Sequence, residues 1–216
     1  MAGRYRGLSM FITFEGSEGS GKTSQLAQLA EFLTQQGVAL LTTREPGGTP
    51  IGEQVREILS DLNNTAMHPR AEILLFQASR AQLVEQVIRP HLESGGVVLC
   101  DRYADSTLAY QGYGYQTVDL GLLRTIVSFA TGGLKPDLTL LFDVDVEEGL
   151  QRRARGGEWN RLDAYELAFY QRVIKGYHEM AHAEPERWVV VDAGQPPDQV
   201  QAVIRSIVME RLGKRD

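Results

Sequence analysis

The sequence has one cysteine, no long apolar segment and no excess of basic residues, and each of these absences excludes a class of protein. Because Cys100 is alone among 216 residues, no disulfide can form within the chain, and we expect a reducing, cytoplasmic location. No apolar run approaches the length of about 18 residues that a membrane span requires, and no hydrophobic region follows the arginines near the start, so we expect neither a membrane span nor a signal peptide. A formal net charge of −6 argues against nucleic acid as the main partner, since backbone phosphates select basic surfaces.

Predicted strands and helices alternate along the chain without a change in composition. The strands are short apolar runs at Phe11–Phe14, Ala39–Thr43, Val97–Cys100, Leu138–Val144 and Trp188–Val191. Runs of this kind, with almost no polar alternation, are typical of strands covered on both faces. We therefore predict an α/β fold with a parallel sheet flanked by helices, built as a single domain over residues 1–216.

The predicted helices follow from apolar spacing and from their terminal residues. They cover Leu26 to Leu33 with an end at Gly37, a helix opened by Thr49 and Pro50 with Ile51, Val55, Ile58, Leu59 and Leu62 on one face, Pro69 to about Ser94, Leu120 to Ala130, about Tyr165 to Ala183, and a C-terminal helix opened by Pro197. Polar clusters at 16–23, 44–48 and 101–111 follow three predicted strands. Ligands of parallel sheets bind beyond the carboxyl ends of the strands, so we expect one site there.

The first of these clusters has the pattern of a triphosphate-binding loop. It consists of Gly16, Ser17, Glu18, Gly19, Ser20, Gly21, Lys22 and Thr23, which fit G-x-x-x-x-G-K-[ST] between a predicted strand and a predicted helix. The glycines let backbone N–H groups approach the phosphates, and the following helix directs its positive end at them. We expect Lys22 to reach the β- and γ-phosphates and the Thr23 hydroxyl to bind Mg²⁺.

Arginines near the other strand ends predict a second phosphate site beside this loop, and a carboxylate there offers a ligand for Mg²⁺. Arg44 and Arg102 follow strands, and Arg80 lies in a predicted helix, one turn after Phe76. Arginines bind phosphate through paired hydrogen bonds, while an aromatic plane beside an arginine can stack a base. Asp101 ends the third strand, where a carboxylate can hold Mg²⁺ directly or through water.

Further motifs resemble the signatures of bacterial thymidylate kinases. These are the segments Arg44–Thr49, Asp101–Tyr103, Ser106–Gly112 and Lys135–Thr139, which together with the phosphate loop extend from the first predicted strand to the fourth. The resemblance is weaker over the C-terminal third. It implies a five-stranded parallel sheet in a P-loop fold, a homodimer, and transfer of the γ-phosphoryl group of ATP to dTMP with Mg²⁺.

The same resemblance implies roles for individual side chains. Phe76 would stack on thymine, Thr107 and Gln111 would select the base, and Tyr110 would pack beside the deoxyribose. Glu18 would lie near the sugar 3′-hydroxyl. The other residues expected to hold dTMP are Arg44, Arg80, Arg102 and Ser106, and Arg102 also counts among the expected catalytic residues together with Lys22.

The segment from Gln151 to Arg161 contains four arginines around a glycine pair, which predicts a flexible cationic lid over about residues 147–163. The phosphate loop itself contributes no second cation at Ser17, Glu18 or Ser20. Phosphoryl transfer depends on neutralising charge, so we expect an arginine of the lid to be catalytic. The spacing leaves Arg153 and Arg155 as alternatives. We expect Arg161 on the adenine side of ATP.

One motif indicates a different chemistry. His178–His182 fits the H-E-x-x-H pattern of zinc proteases on a predicted helix. We expect this helix to face away from the polar strand ends, and a third ligand is available only from a short loop, so we do not assign zinc catalysis. The remaining alternatives are a kinase for another nucleoside monophosphate and a P-loop switch. The sequence has no Asn-Lys-x-Asp element of the kind that guanine-specific switches carry.

Overall fold

A five-stranded parallel sheet forms the centre of the computed structural model, which describes residues 8–155, 161 and 166–213. The strands are β1 (Met10–Gly16), β2 (Leu40–Arg44), β3 (Val97–Asp101), β4 (Leu138–Asp143) and β5 (Trp188–Asp192), in the spatial order β2-β3-β1-β4-β5. All four strand pairs are parallel. The predicted α/β fold with a parallel sheet flanked by helices is confirmed.

Helices cover both faces of this sheet. They are α1 (Lys22–Gln35), α2 (Pro50–Ser60), α3 (Pro69–Leu83), α4 (Arg89–Glu93), α5 (Ala104–Thr107), α6 (Leu120–Thr131), α7 (Val146–Arg155), α8 (Leu167–Ala183) and α9 (Pro197–Gly213). A π-helical turn, Val84–Ile88, joins α3 to α4, and a second π-helical segment, Leu108–Gly114, continues α5. Within the described ranges, no helix is both long enough and apolar enough to cross a membrane.

The core is continuous through the sheet because β1 and β4 are buried on both faces. On one face, Phe14 and Phe142 stack with ring centroids 5.5 Å apart, and side chains of α1 and α9 pack over them. On the other face, Phe11 contacts residues of α3 and the following π-turn, while Leu141 packs against α8. Apolar runs without polar alternation therefore correspond to strands with helices on either side.

The helix starts follow the predicted terminal residues. Thr49 accepts a hydrogen bond from the Gly52 amide at 2.9 Å, with Pro50 as the first helical residue. The predicted helix from Pro69 extends to Glu93 through the π-turn. Pro90 lies just beyond that turn, and its ring and missing N–H disrupt regular α-helical bonding to the preceding residues. In the π-helical turn before Pro90 the backbone hydrogen bonds span five residues instead of four, which is consistent with this constraint.

Several predictions were incomplete at the level of individual elements. The polar cluster at 101–111 was predicted only as a strand-end segment, but residues 104–114 are helical. Residues 147–155 of the predicted lid belong to helix α7, whereas 156–160 and 162–165 lie outside the described residues. Leu62 lies beyond the end of α2, and Ile51 and Ile58 of its apolar face are exposed rather than packed in the core.

The parallel register brings the ends of the strands to one edge of the sheet. Asp101 of β3 is opposite both Phe14 of β1 and Arg44 of β2, and Gly16 is opposite Phe142 of β4. The segments that leave β1, β2 and β3 therefore begin side by side. This edge carries the candidate site.

Candidate active site

A cavity of about 630 Å³ opens at the carboxyl edge of the sheet. It brings together most of the residues predicted for the site. Its lining includes Glu18, Gly19, Ser20, Gly21, Lys22, Thr23, Arg44, Phe76, Arg80, Asp101, Arg102, Ser106, Thr107, Tyr110, Gln111 and Arg153. Of the other predicted residues, Gly16 and Ser17 belong to the phosphate loop behind this surface, while Arg155 and Arg161 are not part of the lining.

Lys22 lies within the phosphate loop and is held by the loop's own oxygens. Its Nζ donates to the carbonyls of Gly16 and Ser17 at 3.2 and 2.6 Å and to the Ser20 hydroxyl at 3.1 Å. Burial lowers the pKa of Lys22 to about 8, and the nearby positive charge of Arg102 acts in the same direction. Gly21 precedes the helix with a φ of 85°, a left-handed conformation that glycine adopts without strain.

Arg102 connects the phosphate loop to the opposite wall of the cavity. It leaves β3 with a φ of 67°, which is uncommon for a residue with a Cβ. Its guanidinium donates to the carbonyl of Gly16 at 3.1 Å, to Glu18 at 2.8 Å and to the Tyr110 hydroxyl at 3.0 Å. Burial alone would raise the pKa of Glu18, but the positive charges of Arg102 and then Lys22 outweigh it and lower that pKa.

Arg80 is completely buried, and all five of its N–H groups have acceptors. Nε and Nη2 donate to the Glu45 carboxylate at 2.8 and 2.6 Å, while the remaining donors reach Gln77, Thr107 and the Tyr103 carbonyl. Burial raises the pKa of Glu45, although the charge of Arg80 opposes this effect. The guanidinium is thus fixed in the wall of the cavity, since its planar set of donors is fully used.

Phe76, Thr107 and Gln111 lie at the same end of the cavity. Phe76 is half-buried and lines the cavity, so its ring has a surface available for stacking. Gln111 donates through Nε2 to Glu72 at 2.9 Å. Glu72 also accepts from the Tyr115 hydroxyl at 2.9 Å. Because Glu72, Phe76 and Arg80 recur every four residues, they share one face of α3.

Thr23 and Asp101 form a pair of oxygen groups next to Lys22. The Thr23 hydroxyl donates a short hydrogen bond to Oδ2 of Asp101. Hydroxyl and carboxylate oxygens are the donor set that Mg²⁺ prefers, and Mg²⁺ is commonly held by one or two protein ligands plus phosphate oxygens. The position of these two residues on the cavity wall fits that ion.

Helix α7 packs directly on the phosphate loop. A Cβ at Gly149 would lie 2.6 Å from the Glu18 carbonyl, and one at Gly19 would lie 1.9 Å from the Gly149 carbonyl. The two backbones therefore approach closely because both residues lack side chains. This contact places Arg153 at the cavity, whereas Arg155 ends the helix on an exposed surface.

Arg161 lies beside Glu72, behind the part of the cavity wall that carries Gln111. Its Nε donates to the Leu59 carbonyl at 2.8 Å, and its Nη2 pairs with Glu72 at 2.7 Å. Arg152 donates to the carbonyl of Ala193 at 2.9 Å and pairs with Glu148. The arginines of this segment therefore contact different parts of the protein. Tertiary packing decides which part each one contacts, and their order in the sequence does not reveal it.

Sequence reasoning missed a buried cluster around Glu15. This carboxyl accepts from the Tyr103 amide at 2.8 Å, from Ser106 at 2.6 Å and from the Tyr177 hydroxyl at 2.8 Å. Tyr177 also lies 3.5 Å from Nη1 of Arg102. Helix α8 therefore contributes to the polar strand ends, and the expectation that it faces away from them is wrong. An acidic residue inside an apolar strand was the available signal for Glu15.

The environment of Glu15 disfavours its charged form. Burial is the largest cause, and the nearby negative charge of Asp105 adds to it, so the pKa of Glu15 is raised from 4.5 to about 7. Hydrogen bonds from Ser106 and Tyr177 and the charge of Arg102 act in the opposite direction.

The two histidines of α8 lie apart from the Glu15 cluster. His178 is 3.2 Å from Asp143, and His182 is exposed.

Comparison with known proteins gives one consistent result. Residues 14–204 match the family model described as thymidylate kinase. The chain is 53% identical over 213 residues to a thymidylate kinase of Roseiflexus sp. (strain RS-1), which covers 93% of this chain and 94% of that protein. It is 53% identical over 202 residues to one from Deinococcus radiodurans, with coverages of 94% and 97%. The crystal structure of thymidylate kinase from Ehrlichia chaffeensis superposes with a TM-score of 0.77 at 35% identity, covering 94% of this chain and 99% of that one.

The raised pKa of Glu15 predicts a specific dependence of stability on pH. Between about pH 4.5 and 7 the unfolded chain has lost this proton while the folded protein retains it, so the Glu15 contribution to stability decreases as the pH rises. Glu15→Gln removes that contribution. The free energy of unfolding of the variant should therefore rise relative to the wild type by up to about 3 kcal/mol between pH 5 and pH 8.

Urea unfolding at several pH values measures this difference. Glu31→Gln makes the same substitution at an exposed glutamate of α1 and serves as the control for effects that do not come from burial of the carboxyl. A pH-independent difference between Glu15→Gln and the wild type would show that Glu15 titrates alike in the folded and unfolded states.

Proposed function

The chain belongs to the thymidylate kinase family, and from this premise we propose that it transfers the γ-phosphoryl group of ATP to dTMP, giving dTDP and ADP. The observation that carries the proposal is the continuity of the cavity. One wall is the phosphate loop, and the other carries Phe76, Thr107 and Gln111. A nucleoside triphosphate and a nucleoside monophosphate bound in this cavity would meet end to end, as phosphoryl transfer requires.

In this mechanism the protein acts by positioning and by supplying positive charge. Backbone N–H groups of the loop and Lys22 bind the β- and γ-phosphates. Arg102 and Arg44 face the monophosphate, and Glu18 holds the Arg102 guanidinium in place through the 2.8 Å contact. Groups that are fixed before the reaction need no reorganisation when charge shifts in the transition state, which favours a high rate.

Thr23 and Asp101 are the residues that would hold Mg²⁺. This ion would neutralise negative charge on the phosphates during transfer. The protein's own part is to keep the two oxygen groups adjacent, through the hydrogen bond from Thr23 to Asp101.

We further propose Arg153 as the cation that stabilises the transferring group. Of the two alternatives that the sequence leaves open, Arg153 lines the cavity, and it lies on the part of α7 that rests on the phosphate loop. An arginine in this position can contact phosphoryl oxygens without moving far, whereas Arg155 lies at the exposed end of the helix.

A homodimer in the cytoplasm completes the proposal. Large apolar side chains are exposed on three helices that pack together or are close neighbours, namely Ile51, Ile58, Leu74, Leu122 and Phe129, and Phe129 is 89% exposed. Large apolar side chains left exposed on neighbouring helices are costly in water, and where they adjoin one another they mark an interaction site. A second copy of the chain is the occupant that the family resemblance implies. The single cysteine suits a reducing compartment.

The activity itself is tested by a coupled ADP-release assay over a panel of monophosphates. We expect dTMP to be the best acceptor and AMP and GMP to be poor, because the surface of Phe76 is suited to one pyrimidine ring and polar groups for the thymine edge would be unpaired. Equal kcat/KM for dTMP and a purine monophosphate would exclude the thymidylate assignment. Turnover of ATP without any acceptor would favour the P-loop switch.

Arg153→Ala should lower kcat by about 10²-fold or more with little change in the KM for dTMP, since the interaction is made mainly in the transition state. Arg155→Ala is the matched control on the same helix, and we expect it to change kcat less than about threefold. Steady-state kinetics on both variants decide whether Arg153 or Arg155 is the catalytic arginine. The assignment of Arg153 is wrong if only Arg155→Ala impairs kcat.

Phe129→Glu should convert the protein from a dimer to a monomer, because a carboxylate in an apolar interface loses its hydration without a partner. Sedimentation velocity then gives a mass near 24.0 kDa for the variant and twice that value for the wild type. Val203→Glu places the same charge on the exposed surface of α9 and should remain dimeric. A monomeric wild type would rule out the homodimer.

A further inference from the structure

The carboxylate of Glu72 lies behind the base end of the cavity, and its side chain is only 2% exposed. Three donors converge on it from separate parts of the chain. Oε1 accepts from Nε2 of Gln111 and from the Tyr115 hydroxyl, both at 2.9 Å. Oε2 accepts from Nη2 of Arg161 at 2.7 Å. A buried carboxylate with a full set of donors is a fixed acceptor.

This acceptor determines which way the Gln111 amide points. A glutamine amide has one donating end and one accepting end, and an ionised carboxylate can only accept. Rotating the amide by half a turn would place its Oε1 against the Glu72 carboxylate and leave a buried oxygen without a donor, which is unfavourable. The NH₂ group is therefore held on Glu72. The Oε1 atom receives no hydrogen bond from any residue within the described ranges, and Gln111 lines the cavity.

The neighbouring Thr107 has the complementary property. Its Oγ1 accepts from Nε2 of Gln77 at 3.2 Å and from Nη1 of Arg80 at 3.0 Å. With both lone pairs used, the hydroxyl can only donate its own hydrogen to a further partner. Thr107 and Gln111 are one helical turn apart and both line the cavity. The wall thus presents a donor beside an acceptor.

We propose that Glu72 is a specificity-determining positioning residue, which acts by fixing the Gln111 carbonyl as an acceptor for the ring N–H of a 4-keto pyrimidine. Thymine and uracil present a carbonyl oxygen next to a ring N–H, which matches a donor beside an acceptor. Cytosine presents an amino group next to an unprotonated ring nitrogen, so both contacts become repulsive. The inference rests on the proposed function and extends it to the rejection of cytosine nucleotides.

Glu72→Gln tests this role because it keeps the shape of the side chain and removes the fixed acceptor. The substituted amide can donate to Oε1 of Gln111, which allows the Gln111 amide to turn and present its NH₂ group to the base. We expect the ratio of kcat/KM for dTMP to kcat/KM for dCMP to fall by at least about tenfold. Tyr115→Phe is the matched control, since it removes another donor to the same oxygen without affecting the amide, and it should keep the ratio.

A double-mutant cycle separates positioning from a merely structural role. Gln111→Met removes the amide, so in that background Glu72→Gln should have little further effect on the dTMP to dCMP ratio. Equal effects of Glu72→Gln with and without Gln111 would overturn the inference.

The unmodified enzyme gives a second test that does not depend on folding of a variant: N3-methyl-dTMP lacks the ring N–H and should lose at least about tenfold in kcat/KM. Undiminished use of this analogue would also overturn the inference.

The wild-type panel distinguishes the two levels of the argument. If the wild type does not phosphorylate dTMP, the proposed function fails and the role of Glu72 fails with it. If the wild type uses dTMP but Glu72→Gln keeps the wild-type selectivity against dCMP, the inference on Glu72 alone is wrong.

Discussion

The contacts of Arg102 are the constraint on which the rest of the site depends. This residue turns away from β3 in a left-handed conformation, and its guanidinium joins the Gly16 carbonyl and Glu18 of the phosphate loop to Tyr110 on the opposite wall. Both halves of the cavity are therefore fixed relative to one planar group. A backbone strain of about 1–3 kcal/mol at a non-glycine residue is offset by the hydrogen bonds that Arg102 makes to the loop in this conformation.

Besides Arg102, the site contains two buried ion pairs. Arg80 with Glu45, and Arg161 with Glu72, are ion pairs with little access to solvent. Pairs of this kind gain little net stability, because desolvation offsets much of their attraction. Their value lies in fixing direction: Arg80 and Gln77 orient Thr107, and Glu72 orients Gln111. A site that must distinguish similar bases requires donors and acceptors that cannot exchange roles.

Local sequence patterns predicted the fold and much of the cavity. The apolar runs predicted all five strands, and Thr49 with Pro50 marked a helix start that the structure retains. The G-x-x-x-x-G-K-[ST] pattern predicted a loop between a strand and a helix, and residues 17–21 do connect β1 to α1. The helical character of residues 104–114 and the extent of α7 were missed. Polar residues that serve a site obscure the apolar periodicity by which a helix is recognised.

The sequence by itself determined the order of strands and helices, the phosphate loop and the family resemblance, since each depends on residues that are close along the chain. Tertiary structure decided which distant groups meet. Tyr177 reaches Glu15 across 162 positions, and Arg161 pairs with Glu72 across 89. It also decided that Arg153 lines the cavity and that Arg155 does not, since two facing glycines allow α7 to rest on the loop. Such contacts depend on how helices pack on the sheet, which local spacing does not specify.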